Sequence, residues 1–334
     1  MIIETQSYPR AALIGNPSDG YYGKTIAFVF SNFRARVQLY QTPELEIVPE
    51  ALDVDKFRNI EELASNVALN GYYGGLRLLK ASIKVFYTYC RTQQIALDNR
   101  NFTIRYSSNI PIRLGLAGSS AIITACFKAL MAFFGITIPR PILANLVLRV
   151  ESVELGIAAG LQDRVAQAYE TPVYMDFSRD LMEKQGYGAY QPLSTAGFPN
   201  LYIAYKTRLS EGTEVTHNNL KARFQIGEKA VLDAMQAWAH LTEQFMAALE
   251  RADHPEMARL INQNFDLRRS LIPISPENIE MVEAARSTGA SAKFTGSGGA
   301  IIGSYTTETM FERLKTTLQP LNIEVIKPQI VDNA

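Results

Sequence analysis

Apolar and polar residues alternate along the N-terminal half of the chain in patterns that predict both helices and strands. Leu76, Leu79, Ile83, Phe86 and Cys90 recur at three- and four-residue steps, the spacing of one buried face of a helix. Short apolar runs bounded by turn residues predict strands. The predicted strands are 11–14, 25–31, 34–40, 44–48, 102–106 and 173–175. The predicted helices are 55–69, a second one that begins after the glycines ending at Gly75, 119–134, 139–155 and 161–169.

A stretch rich in Gly, Pro, Ser and polar residues, 178–200, predicts a domain boundary. We therefore expect an N-terminal domain over 1–185 and a C-terminal domain over 186–334. The predicted C-terminal strands are 201–205, 291–295, 300–305 and 323–326, and the helices are most of 216–289 and 307–317. With the helical insert merged, the order of elements is β-α-β-β-α-β, the split arrangement of ferredoxin-like folds. The predicted class is α+β, with two domains.

Composition and charge exclude several classes of protein. The 334 residues are 47% hydrophobic and 20% charged, which is typical of a globular protein with a substantial core. Because 33 Lys and Arg balance 33 Asp and Glu, nothing indicates a nucleic-acid partner. The absence of a leader segment and of a long apolar run predicts a cytoplasmic protein without a membrane partner. Cys90 and Cys126 lie in apolar helical patterns and predict buried thiols.

A glycine- and serine-rich stretch joins the strand 102–106 to the helix 119–134. Glycines let the backbone approach a ligand closely, and the first turn of a helix offers unpaired N–H groups and a positive dipole end. A phosphate is favoured at such a place, and a serine hydroxyl there can meet a phosphate-bound Mg²⁺. The alternative is a serine-capped helix start without a ligand. The candidate phosphate-binding residues are Pro111, Gly115, Leu116, Ala117, Gly118, Ser119, Ser120 and Ala121.

Three carboxylates stand at the ends of predicted elements. Glu151, near the end of one helix, can bind a metal through its oxygens, and Asp163, at the start of the next, can take or orient a hydroxyl proton. Asp19 follows the first predicted strand and can accept hydrogen bonds from sugar hydroxyls. Each has a structural alternative: a solvated helix charge, a helix cap and a turn former, respectively.

Two further glycine turns carry candidate residues. The segment 293–300 predicts a tight turn between strands, either a plain hairpin or a backbone clamp on an anion or sugar. The segment around Lys24 is similar to the end of a Walker A loop, but Ser18 replaces the required first glycine and a strand follows it. The three histidines show no metal-binding spacing.

The order of these motifs resembles that of the GHMP kinases. Their first motif resembles 9–19, their phosphate loop is similar to 111–121, and their third motif is similar to 293–299. The likeness covers nearly the whole chain. The chain departs from the usual loop by one inserted residue, Ala117, which leaves open whether Ser119 or Ser120 meets the metal. The resemblance implies a mixed α/β N-terminal domain and a ferredoxin-like C-terminal domain with a helical insert.

Within the family, the chain is similar to the glucuronokinase branch at 15–26, at 71–80 with 84–86, and in the extra residue of 115–122. This likeness implies ATP-dependent phosphorylation of the anomeric C1 hydroxyl of D-glucuronate. Two alternatives stay open: a kinase for another small acceptor, such as galacturonate or a neutral sugar, and a protein that binds its ligand without turnover.

The resemblance also implies roles for single residues. The glycine loop holds the triphosphate of ATP, and Mg²⁺ lies between Ser119 or Ser120, Glu151 and the phosphates. Asp163 lies beside the accepting hydroxyl, and Arg10 lies near Asp163 and the γ-phosphate. The candidate acceptor-binding residues are Asp19, Tyr21, Tyr22, Lys24, Gly296, Ser297 and Gly298. The candidate partners of a substrate carboxylate are Arg113, Arg164, Arg208 and Lys24.

Overall fold

The structure, a computed structural model, describes residues 2–50, 53, 59, 74–207 and 214–333, with side chains from 220 onward in the last range. The strands are β1 (Ile2–Ser7), β2 (Arg10–Ile14), β3 (Lys24–Val29), β4 (Ala35–Thr42), β5 (Glu46–Val48), β6 (Asn101–Ser108), β7 (Val173–Asp176), β8 (Ala189–Pro192), β9 (Asn200–Lys206), β10 (Lys293–Phe294), β11 (Ala300–Tyr305) and β12 (Ile323–Ile326). The α-helices are α1 (Gly75–Thr92), α2 (Gly118–Phe134), α3 (Arg140–Arg149), α4 (Leu161–Tyr169), α5 (Arg179–Gln185), α6 (Glu214–Gln225), α7 (Lys229–Glu250), α8 (His254–Leu271), α9 (Pro276–Ser287) and α10 (Glu308–Leu318). The predicted helix 55–69 lies outside the described residues.

The chain forms two compact units, each assembled from several segments. The first comprises Met1–Pro9, Phe33–Ile112 and Ala117–Ala159, and the second comprises Arg10–Asn32, Arg113–Leu116 and Gly160–Ala334. The glycine- and serine-rich stretch therefore contributes residues to both units. The boundary at 185 stays a prediction.

The first unit is built on a four-stranded sheet in the order β1-β4-β6-β5. β1, β4 and β6 are antiparallel, and β5 runs parallel to β6. Helix α2 is apolar nearly all round because it packs between this sheet and α1. Leu79, Phe86 and Cys90 of α1 are buried as predicted, whereas Leu76 and Ile83 are half-buried because the buried face is centred closer to Ser82.

The second unit contains two antiparallel sheets, ordered β2-β3-β7-β8 and β10-β11-β9-β12. Among the described residues, the strands of the second sheet and the helices between them follow the order β9, four helices, β10, β11, α10 and β12, so the predicted ferredoxin-like order is confirmed. Its core joins the inner side chains of β9 and β11 to α8, α9 and α10. Apolar packing of this kind supplies most of the stability of such a layer.

Three elements escaped the sequence patterns. β1 is an edge strand whose side chains are mostly exposed or half-buried, so it lacks a clear apolar alternation. The segment 178–200 contains α5, which buries none of its residues, and the exposed strand β8. Polar elements of this kind are easily mistaken for a linker. Among the helices that the structure describes, none has the length and apolar character needed to cross a membrane.

Candidate active site

The Asp163 carboxylate lies in an ionic cluster in the second unit. Asp163 is in the first turn of α4, and Arg10 begins β2, 153 positions earlier. Nε and Nη2 of Arg10 both approach Asp163 Oδ1 at 2.7 Å, and Arg164 Nη1 approaches Oδ2 at 3.1 Å. Burial alone would raise the pKa of Asp163, but the two guanidinium groups outweigh it and hold the pKa below its ordinary value. The carboxylate is therefore ionised at neutral pH.

A second carboxylate, Asp19, stands close to the first with the opposite pKa shift. It lies in the short 3₁₀ turn Ser18–Tyr21 and accepts a hydrogen bond from the Gln162 backbone N–H at 3.3 Å. Burial, followed by repulsion from Asp163, raises the pKa of Asp19 to about 6. Gly160 allows this approach, because a Cβ there would overlap Asp19 Oδ2. Neighbouring acids with divergent pKa values are typical of acid–base sites.

We expect an Asp19→Asn substitution to raise stability while it lowers activity. When the pKa of an acid is higher in the folded than in the unfolded protein, the protein loses stability as the pH rises from the lower of these two values to the higher. The reason is that the folded state must release a more tightly held proton. At pH 7.5, ionisation of Asp19 costs at most about 3 kcal/mol, at 1.4 kcal/mol for each pKa unit. Denaturant unfolding of both proteins at pH 5 and pH 7.5 should show a larger advantage for the variant at pH 7.5. An equal or smaller stability advantage of the variant at pH 7.5 would contradict the raised pKa of Asp19.

Two glycine stretches of the second unit touch beside Arg10. Arg10 Nη1 donates to the carbonyl oxygen of Gly115 at 3.2 Å and to that of Thr295. Gly115 has φ of 64°, and a Cβ there would lie 2.8 Å from the Ser297 backbone nitrogen. A Cβ on Gly296 would overlap the Gly115 carbonyl oxygen. Only glycine fits this close contact, which explains the residue type at both positions.

A serine–glutamate pair marks the start of α2 in the first unit. Ser119 Oγ donates to Glu151 Oε1 at 2.6 Å. Glu151 is 1% exposed and lies in the single π-helical turn Val150–Glu154, which follows α3. Ser120 is fully buried, and its hydroxyl donates to the carbonyl oxygen of Ala117 at 3.1 Å. The inserted Ala117 precedes the helix in a left-handed conformation, with φ of 62°. The structure therefore places Ser119, rather than Ser120, against the carboxylate.

The Ser119 hydroxyl and the Glu151 carboxylate are oxygen ligands of the kind that Mg²⁺ prefers. The described residues contain no cluster of three or more His, Cys, Asp and Glu that could hold a metal by themselves. A nucleotide-bound Mg²⁺ needs no such cluster, because phosphates and water fill most of its positions and one or two protein groups suffice. The buried carboxylate with its neighbouring hydroxyl fits this limited requirement.

Of the other predicted acceptor residues, Tyr21, Tyr22 and Lys24 lie on the same turn as Asp19 or just after it, whereas Gly296, Ser297 and Gly298 lie on the turn between β10 and β11. The Tyr21 ring packs on Phe224 of α6 with centroids 4.9 Å apart, and the Tyr22 ring lies under the Arg179 guanidinium at 4.6 Å. Burial and the nearby Asp19 charge raise the pKa of Tyr21 to about 12.

Among the candidate partners for a substrate carboxylate, Lys24 and Arg164 bind groups of the protein itself. Lys24 Nζ pairs with Glu243 at 2.6 Å and lies 3.4 Å from Asp176. Arg164 Nη1 bonds to Asp163 and to the Gly160 carbonyl oxygen. Arg113 has a positive φ of 60°, and Arg208 lies outside the described residues.

Several functional neighbours were not found by reading the sequence. Asn264 on α8 accepts from the Gly15 N–H at 2.7 Å and donates to the Asn16 carbonyl oxygen at 3.0 Å, which holds the turn before Asp19. Arg268, one turn further along α8, contacts the turn at Gly296. In the sequence both look like ordinary polar helix residues, and only their burial distinguishes them.

The comparison with protein families is decisive for the class. The model of the GHMP kinases N-terminal domain matches residues 77–171, and the model of the GHMP kinases C-terminal domain matches residues 245–318. The chain belongs to the GHMP kinases. The predicted resemblance is thereby confirmed, and GHMP kinases use ATP as phosphoryl donor.

Two relatives from Arabidopsis thaliana are similar to this GHMP kinase over most of its length. It is 41% identical to Glucuronokinase 1 over 306 residues and 42% identical to Probable glucuronokinase 2 over 308 residues. Each alignment covers 90% of this chain and 84% of the relative. Among solved structures, Lactococcus lactis galactokinase in complex with galactose superposes with a TM-score of 0.77 at 14% identity, covering 99% of this chain and 94% of the other. This last likeness confirms the predicted two-domain fold.

Proposed function

We propose that this GHMP kinase transfers the γ-phosphoryl group of ATP to the anomeric C1 hydroxyl of D-glucuronate, giving D-glucuronate 1-phosphate and ADP. The substrate class rests on the similarity to the two glucuronokinases. The chemistry rests on one observation, the hydrogen-bonded ion pair between the Arg10 guanidinium and the Asp163 carboxylate.

Asp163 is the group that receives the acceptor hydroxyl in this proposal. Because its pKa is low, Asp163 is a weak base, and its main work is to orient the hydroxyl in line with the phosphorus. A loose phosphoryl-transfer transition state requires little base strength, so orientation contributes more than proton abstraction. Positioning of this kind can supply about 7–11 kcal/mol of barrier reduction.

Arg10 and Asp19 assist Asp163 in this proposal. Arg10 carries a fixed positive charge that suits the charge developing on the transferred phosphoryl oxygens. Asp19, with a pKa near 6, can accept hydrogen bonds from sugar hydroxyls when ionised and can donate one when protonated. Tyr21, on the same turn, and Tyr22, just after it, would contact the acceptor.

Ser119 and Glu151 would hold Mg²⁺ on the triphosphate, and 111–121 would bind the phosphates. The bound ion neutralises phosphate charge and orients the phosphates. The hydrogen bond between the two side chains favours Ser119 over Ser120 as the ligand.

We expect Glu151→Gln to raise the Mg²⁺ concentration needed for half-maximal activity by about 10–100-fold, because a neutral amide replaces the charged oxygen ligand. Ser119→Ala should raise it as well, whereas Ser120→Ala should leave it near the wild-type value. Mg²⁺ titrations at saturating ATP measure all three. Equal effects of the two serine substitutions would contradict the choice of Ser119.

A panel of acceptors tests the proposed reaction. D-glucuronate, D-galacturonate and D-galactose are each incubated with ATP and Mg²⁺, and acceptor-dependent ADP formation is followed. We expect D-glucuronate to give the highest kcat/KM. Strong activity on galactose with none on the uronic acids would refute the proposed substrate.

A further inference from the structure

Three buried basic side chains lie close together in the second unit, beside the glycine turn 295–299. Arg10 and Arg268 are 4% exposed, and Lys293 is 1% exposed. Burial first, then the charges of Arg268 and Arg10, lower the pKa of Lys293 well below its ordinary value. Of the three, only Arg10 pairs with a carboxylate among the described residues. Burying a guanidinium without a carboxylate partner is costly, so Arg268 is expected to have a role beyond stability.

Arg268 donates hydrogen bonds to two consecutive carbonyl oxygens of the turn. Its Nη1 donates to Gly296 at 2.8 Å and its Nη2 donates to Ser297 at 3.1 Å. The guanidinium also stacks on the Phe294 ring, 5.1 Å from the centroid. Arg10 donates to the preceding carbonyl oxygen, that of Thr295. Two guanidinium groups therefore donate hydrogen bonds to three consecutive carbonyl oxygens.

These hydrogen bonds determine the direction in which the backbone N–H groups of the turn point. In a trans peptide the N–H of the next residue points opposite to the carbonyl oxygen. Carbonyls 295, 296 and 297 face the arginines, so the N–H groups of Gly296, Ser297 and Gly298 face away from them. These three N–H groups have no acceptor among the described residues, whereas the N–H groups of Thr295 and Gly299 bond to Ala300 and Asn278.

We propose that Arg268 is a positioning residue that presents the N–H groups of 296–298 to an anionic oxygen of the substrates. Successive backbone N–H groups in a turn form a concave site for anions. The oxygen belongs either to the transferred phosphoryl group or to the carboxylate of the sugar acid. This inference rests on the proposed kinase function and adds to it a residue that acts through the backbone.

The test compares Arg268→Gln and Arg268→Lys with wild type in steady-state kinetics. We expect both variants to lose about 10²-fold in kcat/KM, because neither side chain can hold two carbonyls in a fixed fork. If the oxygen is the sugar carboxylate, KM for D-glucuronate rises while KM for ATP is unchanged. If it is the phosphoryl oxygen, kcat falls and both KM values change little.

Arg286 provides a matched control in the same unit. Its Nη2 also donates to two carbonyl oxygens, those of Asn262 at 2.8 Å and Ala292 at 3.1 Å, and its guanidinium lies 5.2 Å from the Phe265 ring centroid. Neither carbonyl belongs to the turn 295–299. We expect Arg286→Gln to lower the melting temperature without a comparable loss of kcat/KM.

Two results would overturn the proposal. The first is Arg268→Gln that keeps kcat and both KM values within twofold of wild type. The second is Arg286→Gln that loses as much activity as Arg268→Gln at equal melting temperature. If wild type prefers another acceptor in the panel, the same comparison is made with that acceptor. If it uses none, calorimetric titration with ADP and with D-glucuronate replaces kinetics, and unchanged affinity for both in Arg268→Gln overturns the proposal.

Discussion

Asp163→Asn is expected to lower kcat by about 10³-fold while ATP still binds with near-wild-type affinity. The amide keeps the shape of the side chain but removes the negative charge that receives the acceptor hydroxyl, a loss within the usual range of about 10²–10⁴-fold for such groups. It also leaves Arg10 and Arg164 without their shared counter-ion. Single-turnover phosphoryl transfer and calorimetric titration with a non-hydrolysable ATP analogue measure the two quantities.

Asp266→Asn is the control for this substitution. Asp266 also pairs with a guanidinium, that of Arg286 at 2.6 Å, but its side chain is 57% exposed. Exposed pairs contribute at most about 1 kcal/mol, so activity should stay near the wild-type value. A kcat for Asp163→Asn within tenfold of wild type would show that Asp163 does not have the proposed role in phosphoryl transfer.

Arg10→Gln is expected to lower kcat/KM by about 10²–10³-fold and to move the acid limb of the pH–rate profile to higher pH. Without the Arg10 charge, the pKa of Asp163 rises toward the value that burial favours. Activity that depends on the ionised carboxylate is then lost at a higher pH as the solution is acidified. Profiles of log kcat/KM from pH 3 to pH 8 show the displacement, and they are recorded in an Asp19→Asn background as well because the pKa of Asp19 is about 6.

Stability has to be followed in parallel, because breaking a buried ion pair can cost about 3–5 kcal/mol. Arg10→Lys keeps the charge and should keep the acid limb close to its wild-type position. Arg100→Gln is the control: Arg100 pairs with Asp98 at 2.7 Å and donates to the Phe133 carbonyl oxygen at 2.8 Å, with a side chain 37% exposed. An acid limb that stays in place in Arg10→Gln would show that Arg10 does not tune Asp163.

Hydrophobic periodicity predicted most of the fold, because buried faces leave a regular trace in the sequence. The helix at 161–169 and the strands at 300–305 and 323–326 have the predicted bounds. The strand predicted at 291–295 is only Lys293–Phe294: the glycine turn begins at Thr295, and the Ser291 N–H bonds to the Ser304 carbonyl oxygen outside the ladder. β1 and α5 left little trace because neither buries a continuous face.

Less of the candidate site than of the fold could be predicted from the sequence. Motif order drew attention to Arg10 and Asp163, but their separation of 153 positions means that only the folded chain brings them together. Ser119 and Ser120 are consecutive residues of the helix, so their side chains point in different directions. Because Ala117 is inserted before them, the sequence does not show which of the two meets the Glu151 carboxylate. Arg268 was missed because nothing in its neighbourhood along the chain indicates burial.

In the proposed reaction the phosphoryl group is transferred to the anomeric oxygen of D-glucuronate. Two-dimensional ¹H–³¹P correlation NMR on the reaction of wild-type protein with ATP, Mg²⁺ and D-glucuronate identifies the phosphorylated oxygen. We expect a new sugar phosphate whose phosphorus correlates with the anomeric proton, together with an equal amount of ADP. A correlation to any other ring proton, or ADP formation without a sugar phosphate, would contradict the proposed reaction.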